Sequence, residues 1–143
     1  RRFDFKIKNQ RHVLLSDYAH HPKEIYQSAK SIRELYNDRH ITAIFQPHLY
    51  TRTRDFYKEF ADALSQLDEV ILCDIYPARE EPIPGVTSQL IYDNLKPGVE
   101  KSMIHKEDVL ELVKSRDFDV LVILGAGDLD NYVPQIAKII EAK

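Results

Sequence analysis

Apolar residues in this chain fall into short runs separated by stretches of helical period. Ile41 to Phe45, Val70 to Cys73 and Val120 to Leu124 are strand-length runs with almost no polar interruption, and Val13 to Leu15 is a shorter one. Such runs suit strands covered on both faces, as in a mostly parallel sheet. Between them, Ile25, Ala29, Ile32 and Leu35 recur at helical spacing. So do Phe56, Phe60, Ala63, Leu64 and Leu67, and then Val109, Leu110 and Val113, which predict helices over these stretches, the first of the two running over 55–67. Val133, Ile136, Ala137 and Ile140 mark a terminal helix. Thr87 or Ser88 caps a short helix through Leu90, Ile91 and Leu95 that Pro97-Gly98 ends, and Met103-Ile104 reads as a short strand.

Strict alternation occurs once, where Phe3, Phe5 and Ile7 interleave with Asp4, Lys6 and Lys8. With the polar turn Asn9-Gln10-Arg11 before Val13, this predicts an antiparallel hairpin at the sheet edge. The pattern as a whole predicts an α/β, Rossmann-like three-layer sandwich: a mostly parallel sheet with an antiparallel edge hairpin and helices on both faces.

Composition narrows this little. At 143 residues the chain suits one domain, 1–143, and 43% hydrophobic with 30% charged residues is ordinary for a globular protein. A formal charge of -3 argues against a nucleic-acid surface. No apolar run approaches the ~18–20 residues of a membrane span, so no membrane partner is expected. Cys73 is the single cysteine and lies in an apolar run, which predicts a buried thiol and a reducing compartment. The chain opens on Arg1-Arg2-Phe3 and its only methionine is Met103, so it is expected to be a piece of a longer protein.

The candidate chemistry sits just after the strands. Pro47 ends one apolar run, and His48, Tyr50, Arg52 and Arg54 follow, where the next helix begins. Ligands of open α/β sheets collect beyond the carboxyl ends of strands, and anions favour helix N-termini, so a carboxylate or phosphate site is expected there. Taken singly, Arg52 and Arg54 read as solvated surface charges, and it is their position at a strand end with His48 that puts a functional reading on a par with that one.

Ser16 to Pro22 repeats the arrangement before another helix, with Pro22 suited to its first turn and Glu24 to its positive end. Asp17 caps that helix or binds a ribose hydroxyl, and His20 is a loop hydrogen-bonder or a ligand contact. His20 and His21, as neighbours in extended chain, are expected on opposite faces, which speaks against a zinc pair. Glu80 and Glu81, within the proline-rich loop Pro77 to Gly85, read as a solvated pair or a catalytic dyad. Gly125-Ala126-Gly127 admits close approach of a phosphate or a plain tight turn, and the Gly-x-x-x-x-Gly-Lys-Ser/Thr loop is absent. No metal site is expected.

Four ordered motifs carry a resemblance that spans the chain. Asp17-Tyr-Ala-His-His-Pro22, Phe45-Gln-Pro-His-Leu-Tyr-Thr-Arg-Thr-Arg54, Tyr76-Pro-Ala-Arg-Glu-Glu-Pro-Ile-Pro-Gly85 and Gly125-Ala-Gly-Asp128 resemble the C-terminal domain of the Mur ligases. Within the family they are most similar to the member that adds L-alanine to UDP-N-acetylmuramic acid. The resemblance implies a three-domain cytoplasmic enzyme of peptidoglycan precursor synthesis. Its N-terminal domain holds the UDP-sugar, its central domain holds ATP and Mg2+, and its C-terminal domain presents the amino acid.

The activity so implied is amide formation through an acyl phosphate, and the isolated piece is expected to be inactive, with no catalytic residue of its own. Carried over, Arg52 holds the alanine carboxylate with His48, His20 and Tyr18 around it, and Asp17 lies near the ATP ribose. Arg54, Glu80, Gly125 and Gly127 are further candidates. Leu49 stands where many relatives carry a second arginine, which leaves Arg54 as a candidate substitute. The alternatives are a sister ligase adding another amino acid and a non-catalytic anion- or nucleotide-binding module.

Overall fold

A computed structural model describes residues 4–143, and Phe3 of the expected alternation lies outside them. The strands are β1 (Asp4–Lys8), β2 (Val13–Asp17), β3 (Ile41–Phe45), β4 (Glu69–Leu72), β5 (Glu100–Met103) and β6 (Val120–Leu124). The helices are α1 (Pro22–Leu35), α2 (Tyr50–Leu64), α3 (Gln89–Asn94), α4 (Val109–Ser115) and α5 (Val133–Glu141). Short 3-10 turns precede α4 and α5.

The six strands form one sheet in the order β1-β2-β6-β3-β4-β5. All neighbours are parallel except β1 and β2, whose antiparallel pairing contains a bulge between Phe5 and Ile7. The expected edge hairpin and mostly parallel sheet are therefore both present.

Alternate residues of the central strands divide between two cores. Leu15, Ala43, Phe45, Val70 and Val122 pack with Ile25, Ile32, Phe60, Leu64 and Ile91 from α1, α2 and α3. On the opposite face, Leu14, Ile44, Ile71, Leu121 and Ile123 pack with Val109, Val113, Val133, Ile136 and Ile140 from α4 and α5. Each fully buried Leu, Ile or Phe contributes about 1.5–3 kcal/mol relative to exposure, which is why β2, β3 and β6 read as continuous apolar runs. Cys73 is buried at 1% exposure, and the low polarity around its thiol pushes its pKa up to about 12. It is an inert thiol.

Several expectations shift. Leu35, assigned to the buried stripe of α1, is 55% exposed, and Tyr36 packs against the core in its place. The second helix starts at Tyr50 instead of residue 55, and non-helical φ/ψ of -130° and 18° at Phe56 kink it. The kink leaves Phe56 exposed instead of inside. β5 is Glu100–Met103 rather than Met103-Ile104, and all four of its residues are exposed, as suits an edge strand.

β6, last in sequence, is inserted between β2 and β3. The chain leaves β2 and β3 toward the α1 and α2 face and leaves β6 toward the α5 face. Connections that diverge in this way open a crevice at the carboxyl ends of the strands.

Candidate functional site

Backbone hydrogen bonds join the loops at those strand ends into one floor. Gly125 N–H donates to Asp17 O at 3.2 Å, tying the ends of β6 and β2. Gln46 N–H donates to Leu124 O at 3.1 Å, tying β3 to β6. Tyr76 N–H donates to Pro47 O and Leu49 N–H to Tyr76 O, both at 2.8 Å, which docks the long loop after β4 onto the one after β3.

Gln46 is 2% exposed and both ends of its amide are bonded: Nε2 donates to Asp128 Oδ1 at 2.9 Å, and Oε1 accepts Leu129 N–H at 2.9 Å. This explains the glycine pair. A Cβ on Gly125, whose φ is 132°, would meet Gln46 O at 2.6 Å, and one on Gly127 would meet Tyr76 Cβ at 2.8 Å. The glycines make room for Gln46 and Tyr76, and the start of the following helical turn is held by a side-chain amide. Sequence reasoning missed Gln46, although a polar residue closing an apolar strand was a visible cue.

The loop after β2 carries Tyr18, His20 and His21. Glu24 Oε1 accepts the backbone N–H of both His20 and His21 at 3.1 Å. Partial burial works to raise the Glu24 pKa, but these bonds and the two imidazoles outweigh it and hold the carboxyl below its ordinary range. The turn into Pro22 brings the two histidine rings together, with centroids 4.6 Å apart, instead of on opposite faces. Asp17 is 3% exposed; Oδ1 accepts Ala19 N–H at 3.0 Å and Oδ2 accepts the Ser28 hydroxyl at 2.5 Å. It braces the loop against α1. Tyr18, between two buried residues, is 46% exposed.

His20 meets His48 edge-on at 5.7 Å, and His48 stacks on Tyr76 at 5.6 Å with an 18° interplanar angle. Arg52 lies one helical turn beyond, with Nη1 3.0 Å from His48 Nδ1. A guanidinium has only protons to offer, so Nδ1 presents its lone pair and the imidazole is neutral with its proton on Nε2. Burial first, then the charges of Arg52 and His20, keep the His48 pKa below its ordinary 6.5. His20, His48, Tyr76 and Arg52 thus form one continuous group at the crevice.

A lowered histidine pKa has a stability consequence whose sign follows from linkage. The unfolded chain gains a proton near pH 6.5 that folded His48 resists, so stability is unaffected well above that pH and falls below it. Urea unfolding should show wild type losing ground to His48→Gln between pH 7.5 and 5.5. Parallel pH profiles for the two would contradict the assignment.

The other candidates are placed elsewhere. Arg54 is exposed and pairs with Asp55, Nε to Oδ1 at 2.8 Å. Two residues along a helix is a rotation of about 200°, so Arg52 and Arg54 do not converge. Glu80 is neither a solvated pair with Glu81 nor half of a dyad. Its Oε1 accepts Tyr50 N–H at 2.6 Å and Thr51 N–H at 3.1 Å, and Oε2 accepts the Thr51 hydroxyl at 2.5 Å. The N-terminus of α2, expected to receive an external anion, is occupied by this carboxylate.

Among the described residues, the one group of three with metal-ligand geometry is His40, Glu69 and Glu100, at the other end of the sheet. Glu69 there is already held by both terminal nitrogens of Arg116, at 2.9 and 2.6 Å, and by Thr42. His40 Nε2 is 2.8 Å from Glu100. With Glu69 committed to Arg116 and Thr42, this group does not offer the set of free carboxylate oxygens that a resident Mg2+ ion takes. No helix of the described residues is long and apolar enough to cross a membrane.

Comparison with known proteins finds relatives for the whole chain and for its fold. A family model described as Mur ligase, glutamate ligase domain, matches residues 1–127. The UDP-N-acetylmuramate–L-alanine ligase of Phocaeicola vulgatus is 68% identical over 143 residues, which is 100% of this chain and 31% of that protein. The enzyme of the same name from Parabacteroides distasonis is 52% identical over 98% of this chain and 30% of its own length. In three dimensions, the UDP-N-acetylmuramate–alanine ligase of Thermotoga maritima superposes with a TM-score of 0.75 at 27% identity. That match covers 99% of this chain and 30% of the other. The chain thus spans about a third of the length of the curated relatives it matches. With the family model covering most of its residues and identity this high along its full extent, the chain belongs to the Mur ligase family.

Proposed function

We propose that residues 1–143 form one domain, the amino-acid-presenting domain of a longer, cytoplasmic, ATP-dependent ligase that joins L-alanine to UDP-N-acetylmuramic acid. The observation that carries this is the Arg52 guanidinium, held against neutral His48 beside the strand ends. It occurs in a chain 68% identical throughout to a relative named for that reaction. In this reading the alanine carboxylate binds Arg52, beside His48, His20 and Tyr18. A charge-assisted bond to a fixed fork contributes roughly 1.5–3 kcal/mol.

The acid of the UDP-sugar receives the terminal phosphoryl group of ATP, giving an acyl phosphate and ADP. The alanine nitrogen then attacks the acyl carbon, loses a proton, and the C–O bond breaks to release phosphate. This domain's part is orientation of the amine, so it needs no general base of its own. ATP and Mg2+ are held mainly by a preceding central domain and the UDP-sugar by an N-terminal one. The buried Asp17 carboxylate, bonded to Ala19 and Ser28, shapes the loop that carries Tyr18 and His20 to the amino acid. The test is the mass of the nucleotide sugar after the longer protein is mixed with ATP, Mg2+, UDP-N-acetylmuramic acid and single amino acids. Gain of one alanyl residue, with one phosphate released per product, is expected. Gain of a different amino acid would mark a sister ligase, and unchanged mass would mark a binding module.

A further inference from the structure

We propose that Glu80 is a positioning residue for the amino acid: from the proline-rich loop it caps α2 and so sets where the Arg52 guanidinium stands. This rests on the assignment of Arg52 to the substrate carboxylate. The first amides of a helix lack internal partners, and the residue before the helix ordinarily supplies a side-chain oxygen. Here that residue is Leu49, which has no such oxygen and sits at φ 77°. The missing acceptor comes from 30 residues away, in the three bonds from Tyr50 and Thr51 to Glu80.

The segment bearing Glu80 is itself fixed. Tyr76 is bonded to Pro47 and Leu49, Ala78 holds φ 53°, and Glu80 N–H donates to Pro77 O at 2.9 Å. One short segment, 76–80, therefore grips Arg52 at both ends. Its tyrosine stacks on the imidazole that holds the guanidinium, and its glutamate holds the helical turn from which the side chain springs. The carboxylate also occupies the positive end of α2, so an incoming carboxylate is met by Arg52 and not by the helix amides. Thr51 and the two amides hold the Glu80 carboxyl below its ordinary range despite some desolvation, so it stays an acceptor at neutral pH.

The test uses the longer protein and steady-state kinetics. Glu80→Ala should raise KM for L-alanine about tenfold or more, with kcat and KM for ATP near wild type. Glu80→Gln keeps both acceptor and reach and should stay within about threefold of wild type. Glu80→Asp keeps the charge but falls one methylene short, and should behave like alanine. Rescue by Asp and not Gln would show that charge near Arg52 is what matters, and would overturn the proposal. Unchanged KM in all three, or kcat falling in step with KM, would overturn it as well. Should Glu80→Ala not fold, the Gln and Asp pair decides alone. Arg52→Ala run alongside separates the two ideas: if it leaves KM for L-alanine unchanged, the assignment of the site fails first.

Discussion

Replacing Arg52 by alanine is expected to raise KM for L-alanine about 10- to 100-fold while KM for ATP stays near wild type. The size follows from removing a charge-assisted contact of roughly 1.5–3 kcal/mol. The selectivity follows from position, since Arg52 lies with His48 and His20 at the strand ends and no second arginine of α2 shares the contact. Arg54 is committed to Asp55. Arg52→Lys should recover only part of the loss, because an ammonium does not reproduce the planar fork that meets a carboxylate with two bonds. Steady-state kinetics of the longer protein with each substrate varied in turn checks this. Equal rises for L-alanine and ATP would point to general damage and sink the assignment.

The largest effect on stability is expected at Gly125. Alanine there must adopt φ 132° and place its Cβ 2.6 Å from the Gln46 carbonyl oxygen, just past the carboxyl end of the β3–β6 pairing. Backbone strain and overpacking each cost on the order of 1–3 kcal/mol, so a loss of about 2–5 kcal/mol is expected. For a protein of this size that lowers Tm by roughly 5–15 °C. Gly85→Ala is the control, for its φ is 81° and an added Cβ meets nothing within 4 Å. It should lose only about 1–2 kcal/mol, from the left-handed backbone alone. Urea unfolding of both variants measures the difference, and equal losses would mean that the approach of Gln46 is not what Gly125 provides for.

These two sites mark what the sequence made legible. The strands were readable because both of their faces are buried, and the hairpin because one face of β1 is not. The crevice was readable from Pro47 and the polar residues after it. The start of α2 was not, because its cap comes from Glu80, 30 residues away, and Leu49 resembles no capping residue. Nor could spacing show that the glycine pair faces a glutamine from another strand, since that needs β6 inserted beside β3. His20 and His21 were misplaced for a similar reason. The alternation of an extended chain does not survive a turn whose amides both bind one glutamate. What local pattern determines was visible, and what long-range contacts determine was not.

The most direct measurement of the central claim is where the amino acid sits, in a crystal structure of the longer protein with L-alanine, ADP and UDP-N-acetylmuramic acid bound. The alanine carboxylate is predicted within about 2.7–2.9 Å of the Arg52 guanidinium nitrogens, beside His48 and His20. A carboxylate bound away from Arg52, on residues outside this chain, would contradict the account.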